Sequence, residues 1–585
     1  MSGEKTTKEI LKEKLAPRVR TPLYNPEVLR RMKDDFERWR TTVFRQQDRE
    51  NWAVTPHTIV GSEVPRELLY TPLSNPELDY QMDLGFSGEE PYTRGIHPNM
   101  YRGRTFTIRQ IFGAGSAEQV NQRMKMLLEY GATGTNWALD VPTLQMYDSD
   151  EPEAKGQVGT VGTPIDCVED MEAICKDIPI DKISNSIITH LPRNTAIVFP
   201  MFLVMAERRG IPWDRLAGSS QNDFVIESLV RSGPEYIPPR DDFRIQCDNI
   251  EFMRKYVPQW NYVTLNGYNL REWGTSGITE MAVALSNAIE ILKEMSRRGH
   301  DIDWIAERMA FFWSPANDFF EEVARLRAVR RLYYKILKYR FEAKKPRSMW
   351  MRCHVQTSGV CLTREEPMNN VIRAAYHALA AVLGGAQSLH VDSYDEAYSV
   401  PSEDSSLLSL RTQQILEAET QVTQVVDPLG GSFYVEAMTN EMENRILDEI
   451  DEIERLGGIV EVVSSGWLRN KVVRHIEREQ KMIADGEIKV VGRNYHRAAD
   501  LKMPEVEVHE YDESVARQAW EKLARLRQRR DNEKASRCLE ALKEACKRGD
   551  NVMQYTLECA RADVTEGEMR RAFVEAFGLW KPSLF

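Results

Sequence analysis

The stretch SNSIITHLPRNTAIVFPMFLVMAERRG (184–210) places a short β-like run directly before a long, largely apolar helix. The same alternation recurs at WNYVTLNG (260–267), which precedes a predicted helix from about Ile278 to Arg298. Repeated alternation of strand and helix is typical of parallel α/β folds. Polar segments, GYNLREW (267–273) and HVQTSG (354–359), follow predicted strands, where a β/α barrel carries its working residues. The pattern favours such a barrel, although solvated loops remain an alternative interpretation of these segments.

The sequence before and after this region differs from it in composition. Residues 1–85 begin with charged helical sequence, NPEVLRRMKDDFERWRTTVF (25–44), and then become rich in proline, which predicts an arm that contacts another element or subunit. Residues 86–430 are predicted to form the barrel. Residues 431–585 are charged at helical spacing, and predict a helical region that covers the barrel or a partner.

Composition excludes several classes of protein. The chain has 585 residues, and its 77 Lys and Arg against 89 Asp and Glu give a net charge of −12, which argues against a nucleic-acid partner. No apolar run reaches the ~18 residues that a membrane helix needs. The eight scattered cysteines form no CxxC pair and indicate a reducing compartment. Because the start resembles neither a secretory signal nor a transit peptide, we expect a cytoplasmic protein without a membrane partner.

Several catalytic motifs are missing from the sequence. It contains no GxxxxGK[ST] phosphate loop, no correctly spaced GxGxxG, no HExxH and no GxSxG elbow. The remaining candidates are basic or hydrogen-bonding residues spread over the predicted barrel, each of which would by itself most often be structural. They are Arg104, Thr107, Arg109, Gln221, Arg231, Arg308, His354 and Gln356.

An ordered series of longer motifs gives these residues a context. The series is RGIHPNMYRGRTFTIRQ (94–110), YDSDEPEAKGQVGTVGTPIDCVEDME (147–172), SSQNDF (219–224), LNGYNLREWG (265–274), ERMAFFW (307–313), RCHVQTSG (352–359) and LGGAQSLHVDSYDEAYSVP (383–401). In this order and at these separations the motifs resemble the large subunit of methylmalonyl-CoA mutase and its relatives, the adenosylcobalamin-dependent acyl-CoA mutases. The resemblance extends from about residue 60 to the end of the chain.

The resemblance implies a (β/α)8 TIM barrel, through whose axis the pantetheine arm of CoA threads. It assigns Arg104, Thr107, Arg109, Arg308 and His354 to the CoA portion. Guanidinium groups suit phosphates, and a threaded amide chain needs hydrogen-bonding walls. Gln221 and Gln356 match polar residues on the substrate side, while Glu272 and Glu396 match acidic residues near the adenosyl group. In such enzymes cobalt–carbon homolysis yields a radical, and the thioester carbonyl group then migrates to the adjacent carbon.

Three active-site positions depart from methylmalonyl-CoA mutase. Ile111 stands where the family enzyme has a tyrosine, Asn269 replaces a histidine that binds the thioester carbonyl, and Leu139 replaces a phenylalanine. All three changes are to a smaller side chain. Asn269 can still donate a hydrogen bond through its amide but cannot act as a general acid.

These departures suggest a substrate. Arg231, in SLVRSG, matches the arginine that binds the substrate carboxylate in the family, and the resemblance places it and Gln356 near the cofactor as well. A larger pocket that keeps its carboxylate anchor suggests a bulkier acidic acyl group, such as an alkylsuccinyl-CoA. Ile111 also resembles the 2-hydroxyisobutyryl-CoA mutases, but those carry an aspartate where Leu139 stands. Isobutyryl-CoA and methylmalonyl-CoA remain alternative substrates.

The resemblance also implies partners. Family members of full length append a cobalamin domain with a DxHxxG motif whose histidine binds cobalt, and no such motif occurs here, so we expect no Rossmann-like cobalamin domain and no metal ligand on this chain. A separate small subunit would supply both, in a heterotetramer or similar assembly of paired barrels, with a GTPase chaperone as a possible further partner. The competing interpretation is a non-catalytic barrel that only stabilises an active mutase subunit.

Overall fold

The computed structural model describes residues 4–45, 64–229, 237–497, 506 and 511–581. Short parallel strands occupy the centre of this part of the chain. The strands are β1 (Thr107–Ile108), β2 (Trp137–Ala138), β3 (Asn185–Ile188), β4 (Gly218–Ser220), β5 (Trp260–Asn261), β6 (Val263–Asn266), β7 (Met309–Trp313), β8 (Arg352–Gln356) and β9 (Ser388–His390).

Hydrogen bonds connect these strands into a ring. They pair in two sets, in the orders β1-β9-β8-β7-β6 and β2-β3-β4-β5, and β5 and β6 are two halves of one strand separated by Tyr262. At the other seam Phe112, just beyond β1, pairs with Trp137, and the backbone N–H of Ala138 donates to the carbonyl of Phe112 (2.9 Å). The strands therefore follow one another around a cylinder in chain order, as a β/α barrel requires. The predicted fold class is confirmed.

Helices surround the cylinder and continue after it. They are α1 (Thr7–Leu15), α2 (Pro26–Trp39), α3 (Met100–Gly103), α4 (Ala117–Glu129), α5 (Val141–Leu144), α6 (Val168–Ile174), α7 (Pro192–Arg208), α8 (Phe224–Leu229), α9 (Pro239–Tyr256), α10 (Tyr268–Trp273), α11 (Gly277–Arg297), α12 (Ile302–Ala306), α13 (Phe319–Lys335), α14 (Asn369–Leu383), α15 (Glu403–Ala418), α16 (Phe433–Arg455), α17 (Ile459–Ser464), α18 (Trp467–Ala484), α19 (Glu513–Arg529), α20 (Asn532–Arg548), α21 (Val552–Arg561) and α22 (Glu566–Phe577). The core lies between the helices and the outer face of the strands.

Two of these helices show why the sequence patterns form. Helix α11 begins after Ser276, whose side chain accepts a hydrogen bond from the N–H of Thr279, and it ends before Gly299, which has a positive φ of 87°. Its bounds lie within one residue of the predicted helix. Helix α7 is buried over residues 192–206, because α21 covers the side that the barrel does not. An all-round apolar sequence is what such a position requires.

Strand β8 differs from the prediction. The sequence places His354 and Gln356 in a loop after a strand that ends near Arg352, whereas the strand begins at Arg352 and contains both residues. The preceding residues, Pro346–Met349, form a 3₁₀ turn instead of a strand. The polar residues at alternate positions of β8 face the inside of the barrel, and their polarity was the reason for the loop prediction.

The division of the chain into an arm, a barrel and a helical region stays a prediction. The strands lie between residues 107 and 390, and only helices follow residue 433 in the described part. The last of these helices is tied to the barrel through Asp148, whose carboxylate accepts hydrogen bonds from the Thr565 hydroxyl (2.7 Å) and the Gly567 N–H (2.8 Å). Within the described residues, no helix is both long and apolar enough to cross a membrane.

Candidate functional site

A polar channel runs along the inside of the barrel. It encloses a cavity of about 260 Å³ whose walls come from successive strands and carry mostly small side chains with hydroxyl or amide groups. The polar residues of the wall are His97, Thr107, Arg109, Asn136, Ser184, Ser186, Ser219, Ser220, Gln221, Asn261, Thr264, Arg352, His354, Gln387 and Ser388. Barrels of this kind are normally filled by bulky branched residues, so small polar side chains here leave space for a long, hydrogen-bonding ligand.

Arginines gather where the strands begin. Arg104 precedes β1, Arg308 precedes β7, and Arg352 is the first residue of β8, so parallel strands bring all three to one end of the channel. Burial, and then the neighbouring Arg347 and Arg308, lower the pKa of Arg352 to about 10. Arg104 is exposed and its guanidinium forms no hydrogen bond in the described chain, while the guanidinium of Arg308 donates to the carbonyl of Gln259 (3.4 Å).

This end of the barrel is short of negative charge. In the described ranges, Glu307 is the carboxylate near this group, 3.7 Å from Arg347 and 2.8 Å from Arg254. Neither Arg104, Arg308 nor Arg352 has a carboxylate partner among these residues. Uncompensated guanidinium groups that converge on a cavity are suited to binding phosphates.

A second arginine site lies midway along the channel. Arg109 is buried, and its guanidinium donates to the Ser388 hydroxyl (3.2 Å), the Thr135 carbonyl (2.6 Å) and the Ser184 hydroxyl (2.6 Å), all of them neutral. Burial, together with Arg104, lowers the pKa of Arg109 to about 10. The positive charge of Arg109 therefore has no internal counter-charge in the described structure and is left for a ligand.

His354 is held next to Arg109 as a neutral ring. Its Nδ1 lies 2.9 Å from the Ser388 hydroxyl, and its Nε2 is buried without a partner in the part of the chain described. Burial, Arg109 and His390 hold the pKa of His354 well below its usual range. The ring can therefore offer a hydrogen bond to a neutral ligand group but carries no charge at neutral pH.

Polar side chains also meet where the strands end. Gln356, the last residue of β8, donates from Nε2 to the Tyr268 hydroxyl (2.6 Å) and to Asp392 Oδ1 (2.7 Å). Gln221 follows β4 and lines the channel, and its Oε1 is buried without a partner in the described residues. These two glutamines and His354 form a polar path from the middle of the channel to the mouth at the carboxyl ends of the strands, hereafter the carboxyl mouth.

Two glutamates stand at the carboxyl mouth. Glu272 accepts hydrogen bonds from the Ser358 hydroxyl (2.9 Å) and from the backbone N–H groups of Gly359 (3.1 Å) and Val360 (2.7 Å). Burial, and then Asp392, raise the pKa of Glu272 to about 8. The carboxylate of Glu396 forms no hydrogen bond within the described structure, and burial followed by Asp392 raises its pKa well above its usual range.

The three substituted positions have different surroundings. Ile111 lies beyond β1 and donates from its backbone N–H to His390 Nδ1 (3.0 Å). Asn269 is partly buried at the start of α10, where its backbone N–H donates to Asn266 Oδ1 (2.9 Å) and its side-chain amide has no partner in the described chain. Leu139 is buried at the end of β2, pairs with Thr163, and is not among the residues that line the channel.

The structure thus brings together most of the residues singled out by the sequence. Thr107, Arg109, Gln221 and His354 line the channel. Arg104 and Arg308 lie at its amino end, and the remaining members of the set lie at the carboxyl mouth, except that Leu139 packs in the core. Arg231 lies outside the described residues.

Sequence reasoning missed other members of the site. Ser184, Ser186 and Ser219 line the channel. The sequence feature that could have indicated them is the recurrence of small polar residues inside otherwise apolar strands. Arg352 was missed because a lone arginine at a strand start has no distinguishing pattern. Asp392 was missed because its importance lies in a contact with Gln356, 36 positions away.

The side chains at the carboxyl mouth indicate which kind of cofactor could bind there. The described chain holds no group of three or more His, Cys, Asp or Glu residues that could bind a metal ion. The unpaired carboxylate of Glu396, next to the hydrogen-bonded Glu272, instead suits the hydroxyl groups of a sugar. A ribose-containing cofactor therefore fits the residues present.

A parallel barrel with a polar axial channel, cationic at one end and acidic at the other, is suited to an extended ligand that carries its negative charge at one end. Comparison with known proteins narrows the class of protein. Residues 60–579 match the family model described as methylmalonyl-CoA mutase. The chain belongs to that family.

Similarity to individual proteins supports the same family assignment. The chain is 38% identical over 529 residues to the 2-hydroxyisobutanoyl-CoA mutase large subunit of Aquincola tertiaricarbonis, covering 90% of this chain and 92% of that protein. It is 37% identical over 553 residues to the methylmalonyl-CoA mutase of Cereibacter sphaeroides, covering 94% and 76%. The human mitochondrial enzyme is 37% identical over 496 residues, covering 84% and 65%. The chain is accordingly an isomerase of the acyl-CoA mutase class.

Proposed function

We propose that this chain is the substrate-binding large subunit of an adenosylcobalamin-dependent mutase that rearranges the carbon skeleton of a bulky, carboxylated acyl-CoA. The observation that carries the proposal is the channel itself. Arginines without carboxylate partners mark its amino end, hydroxyl groups line its walls, and acceptor carboxylates stand at its carboxyl mouth. CoA has phosphates at one end, an amide chain in the middle and a thioester at the other, in the same order.

Each part of the acyl-CoA has residues on this chain that could bind it. Arg104, Arg308 and Arg352 would bind the phosphates of CoA, and Arg109 and His354 would hydrogen-bond the amide chain. Gln221, Asn269 and Gln356 would contact the acyl thioester at the carboxyl mouth. Closure of the mouth around the acyl group would exclude water and competing reactions.

The cofactor would bind next to the acyl group. Adenosylcobalamin supplies, when bound, the radical that initiates the rearrangement. On this chain, Glu272 and Glu396 would hydrogen-bond its ribose hydroxyls, because Glu272 is an acceptor at the carboxyl mouth and the neighbouring carboxyl of Glu396 has no partner in the described structure. The cobalt ligand would come from a separate small subunit, as the words "large subunit" in the name of the Aquincola relative suggest.

The substrate assignment rests on two of the three smaller side chains, because Leu139 packs in the core and does not line the channel. Ile111 and Asn269 stand at the carboxyl mouth with no bulky side chain of their own, which leaves room for an alkyl branch on the acyl group. Arg231 would bind the distal carboxylate. An alkylsuccinyl-CoA meets both requirements, and the inert-scaffold alternative does not explain why Arg109 is buried without a counter-charge in the described structure.

A substrate panel tests the proposal. The chain, its small subunit and adenosylcobalamin would be incubated with methylmalonyl-, isobutyryl-, 2-hydroxyisobutyryl- and methylsuccinyl-CoA, and isomers would be separated by mass spectrometry. We expect turnover of methylsuccinyl-CoA. Turnover of 2-hydroxyisobutyryl-CoA alone would place the enzyme with its Aquincola relative, and no turnover together with no CoA binding would support the scaffold alternative.

A double substitution tests the pocket. Ile111→Tyr with Asn269→His restores the larger family side chains and is expected to favour methylmalonyl-CoA over methylsuccinyl-CoA. Ser536→Leu, at an exposed position of α20, is the matched control. Unchanged preference in the double variant would refute the enlarged pocket.

A further inference from the structure

Three side chains at the carboxyl mouth, Asp392, Gln356 and Tyr268, are joined by buried hydrogen bonds, and the ring of His390 lies beside them. The backbone N–H of Ile111 donates to Nδ1 of His390, so Nδ1 is an acceptor. Burial lowers the pKa of His390 to about 3, and the neutral ring therefore carries its proton on Nε2. That nitrogen lies 3.2 Å from Asp392 Oδ1.

Asp392 fixes the orientation of the neighbouring amide. Gln356 Nε2 has two hydrogens, and one is donated to Asp392 Oδ1 and the other to the Tyr268 hydroxyl oxygen. Burial raises the pKa of Asp392 to about 8, and its Oδ2 has no partner in the described structure, so a proton held there leaves Oδ1 as an acceptor that the nitrogen end of the amide faces. The oxygen end, Oε1, is left buried without a partner in the described structure.

This orientation decides what Tyr268 can do. The Tyr268 oxygen accepts from Gln356, so its own hydrogen is free, and no acceptor for it is present among the described residues. Burial, together with Asp392, holds the pKa of Tyr268 well above its usual range, so the hydroxyl keeps this hydrogen. If the Gln356 amide turned over, Oε1 would accept the hydrogen and remove the donor.

The free hydroxyl lies beside the channel. The ring of Tyr268 stacks on Phe312 with centroids 4.7 Å apart and planes 7° apart, and Phe312 contacts the ring of His354 at 4.9 Å. Phe312 and His354 line the channel, and Asn269 follows Tyr268 in the chain. Tyr268 therefore stands at the carboxyl mouth, where the proposed function places the acyl thioester.

We propose that Asp392 is a positioning residue: by holding the Gln356 amide it keeps the Tyr268 hydroxyl available to donate a hydrogen bond to the acyl thioester carbonyl. This inference rests on the proposed function. Toward the thioester carbonyl, Asp392 acts through its contact with Gln356. It acts through the two side chains that follow it in the hydrogen-bonded chain.

Binding measurements on the full chain test this role. Affinity for free CoA and for methylsuccinyl-CoA would be measured by calorimetry for the unchanged chain, Asp392→Leu, Tyr268→Phe and the double variant. Asp392→Leu and Tyr268→Phe are each expected to weaken methylsuccinyl-CoA binding about tenfold while leaving free CoA within about twofold, because only the thioester carbonyl needs the donor. Unchanged CoA affinity also shows that the variants fold.

The double variant separates positioning from a merely structural role. If Asp392 acts through Tyr268, Asp392→Leu costs nothing more once Tyr268 is phenylalanine. Asp392→Asn is expected to recover most of the affinity, because its carbonyl can still accept from Gln356. Asp395→Asn, which removes a nearby buried carboxylate without contact to Gln356, is the control and is expected to bind both ligands normally.

The outcomes are distinguishable. Additive losses in the double variant, or an Asp392→Leu variant that binds methylsuccinyl-CoA as the unchanged chain does, would overturn the role of Asp392 and leave the proposed function standing. Failure of the unchanged chain to bind CoA at all would overturn the proposed function and this inference together.

Discussion

At the scale of single residues, the channel is best understood from charges that the described chain leaves uncompensated. Many buried arginines of this protein are paired: Arg325 and Arg327 lie against glutamates and an aspartate. Arg109 and Arg352 instead contact only neutral groups in the described structure. Arg109 is buried, Arg352 is partly buried, and both line the channel; because a desolvated cation without a counter-charge is costly, these two positions are suited to a ligand anion.

Arg352 gives the first prediction. Arg352→Met is expected to weaken CoA binding by at least tenfold, because a charge-assisted hydrogen bond to a phosphate is lost while the apolar stem is kept. The dependence of affinity on salt should also become shallower. Calorimetric titration at two salt concentrations measures both effects, with Arg525→Met, in the exposed part of α19, as control. Equal affinity in the two variants would contradict the assignment.

Glu272 gives a prediction about pH. Its pKa is raised to about 8 from an ordinary value near 4.5, so the folded protein binds its proton more tightly than the unfolded chain does. The stability that this proton contributes is complete below about pH 4.5 and is lost as the pH rises through 8. We expect the unfolding temperature to fall between pH 6 and 8.5, and to fall less in Glu272→Gln. A scan of thermal unfolding against pH measures this, and parallel curves would contradict it.

At the scale of elements, the helices were easier to predict than the strands. Helix α11 carries its own capping residue and an apolar stripe, both legible in the sequence. Strands β1 and β2 span two residues each, and the second half of β8 was predicted to be a loop because its inward residues, His354 and Gln356, are polar. The alternation expected of a strand assumes an apolar interior. Where the interior is a channel, that assumption fails, and it fails at the functional positions.

Close packing between strands gives a prediction at this scale. Gly218 in β4 faces Asn185 of β3 and Trp260 of β5, and an added Cβ would lie 2.1 Å from the Asn185 carbonyl oxygen and 2.6 Å from the Trp260 ring. Gly218→Ala should therefore force these strands apart and cost about 3 kcal/mol or more. Gly299→Ala, at a positive φ but with open space around it, should cost only about 1 kcal/mol. Denaturant unfolding of both variants measures the difference, and similar losses would show that the strand contact is not limiting.

At the scale of the whole molecule, the interior of the barrel is a polar channel instead of a packed apolar core. The surrounding helices and the outer faces of the strands carry the core, in which Trp137, Trp260 and Trp313 are completely buried. The fold can thus tolerate an inner wall of serines and threonines, whose burial would otherwise contribute little to stability. The resemblance to the acyl-CoA mutases predicted this channel, whereas composition and periodicity alone predicted only a barrel.

A variant with a filled channel tests whether folding stability and CoA binding depend on different parts of the barrel. Ser186→Leu with Ser219→Leu places two branched apolar side chains on neighbouring strands β3 and β4, as in a barrel with a filled interior. Because the space already exists, folding stability should be kept or raised by about 1 kcal/mol, while CoA affinity should fall by a hundredfold or more. Ser536→Leu on exposed α20 controls for adding a leucine. Denaturant unfolding and CoA calorimetry on the same samples decide the matter: a variant that still binds CoA would mean that the ligand does not pass through the barrel.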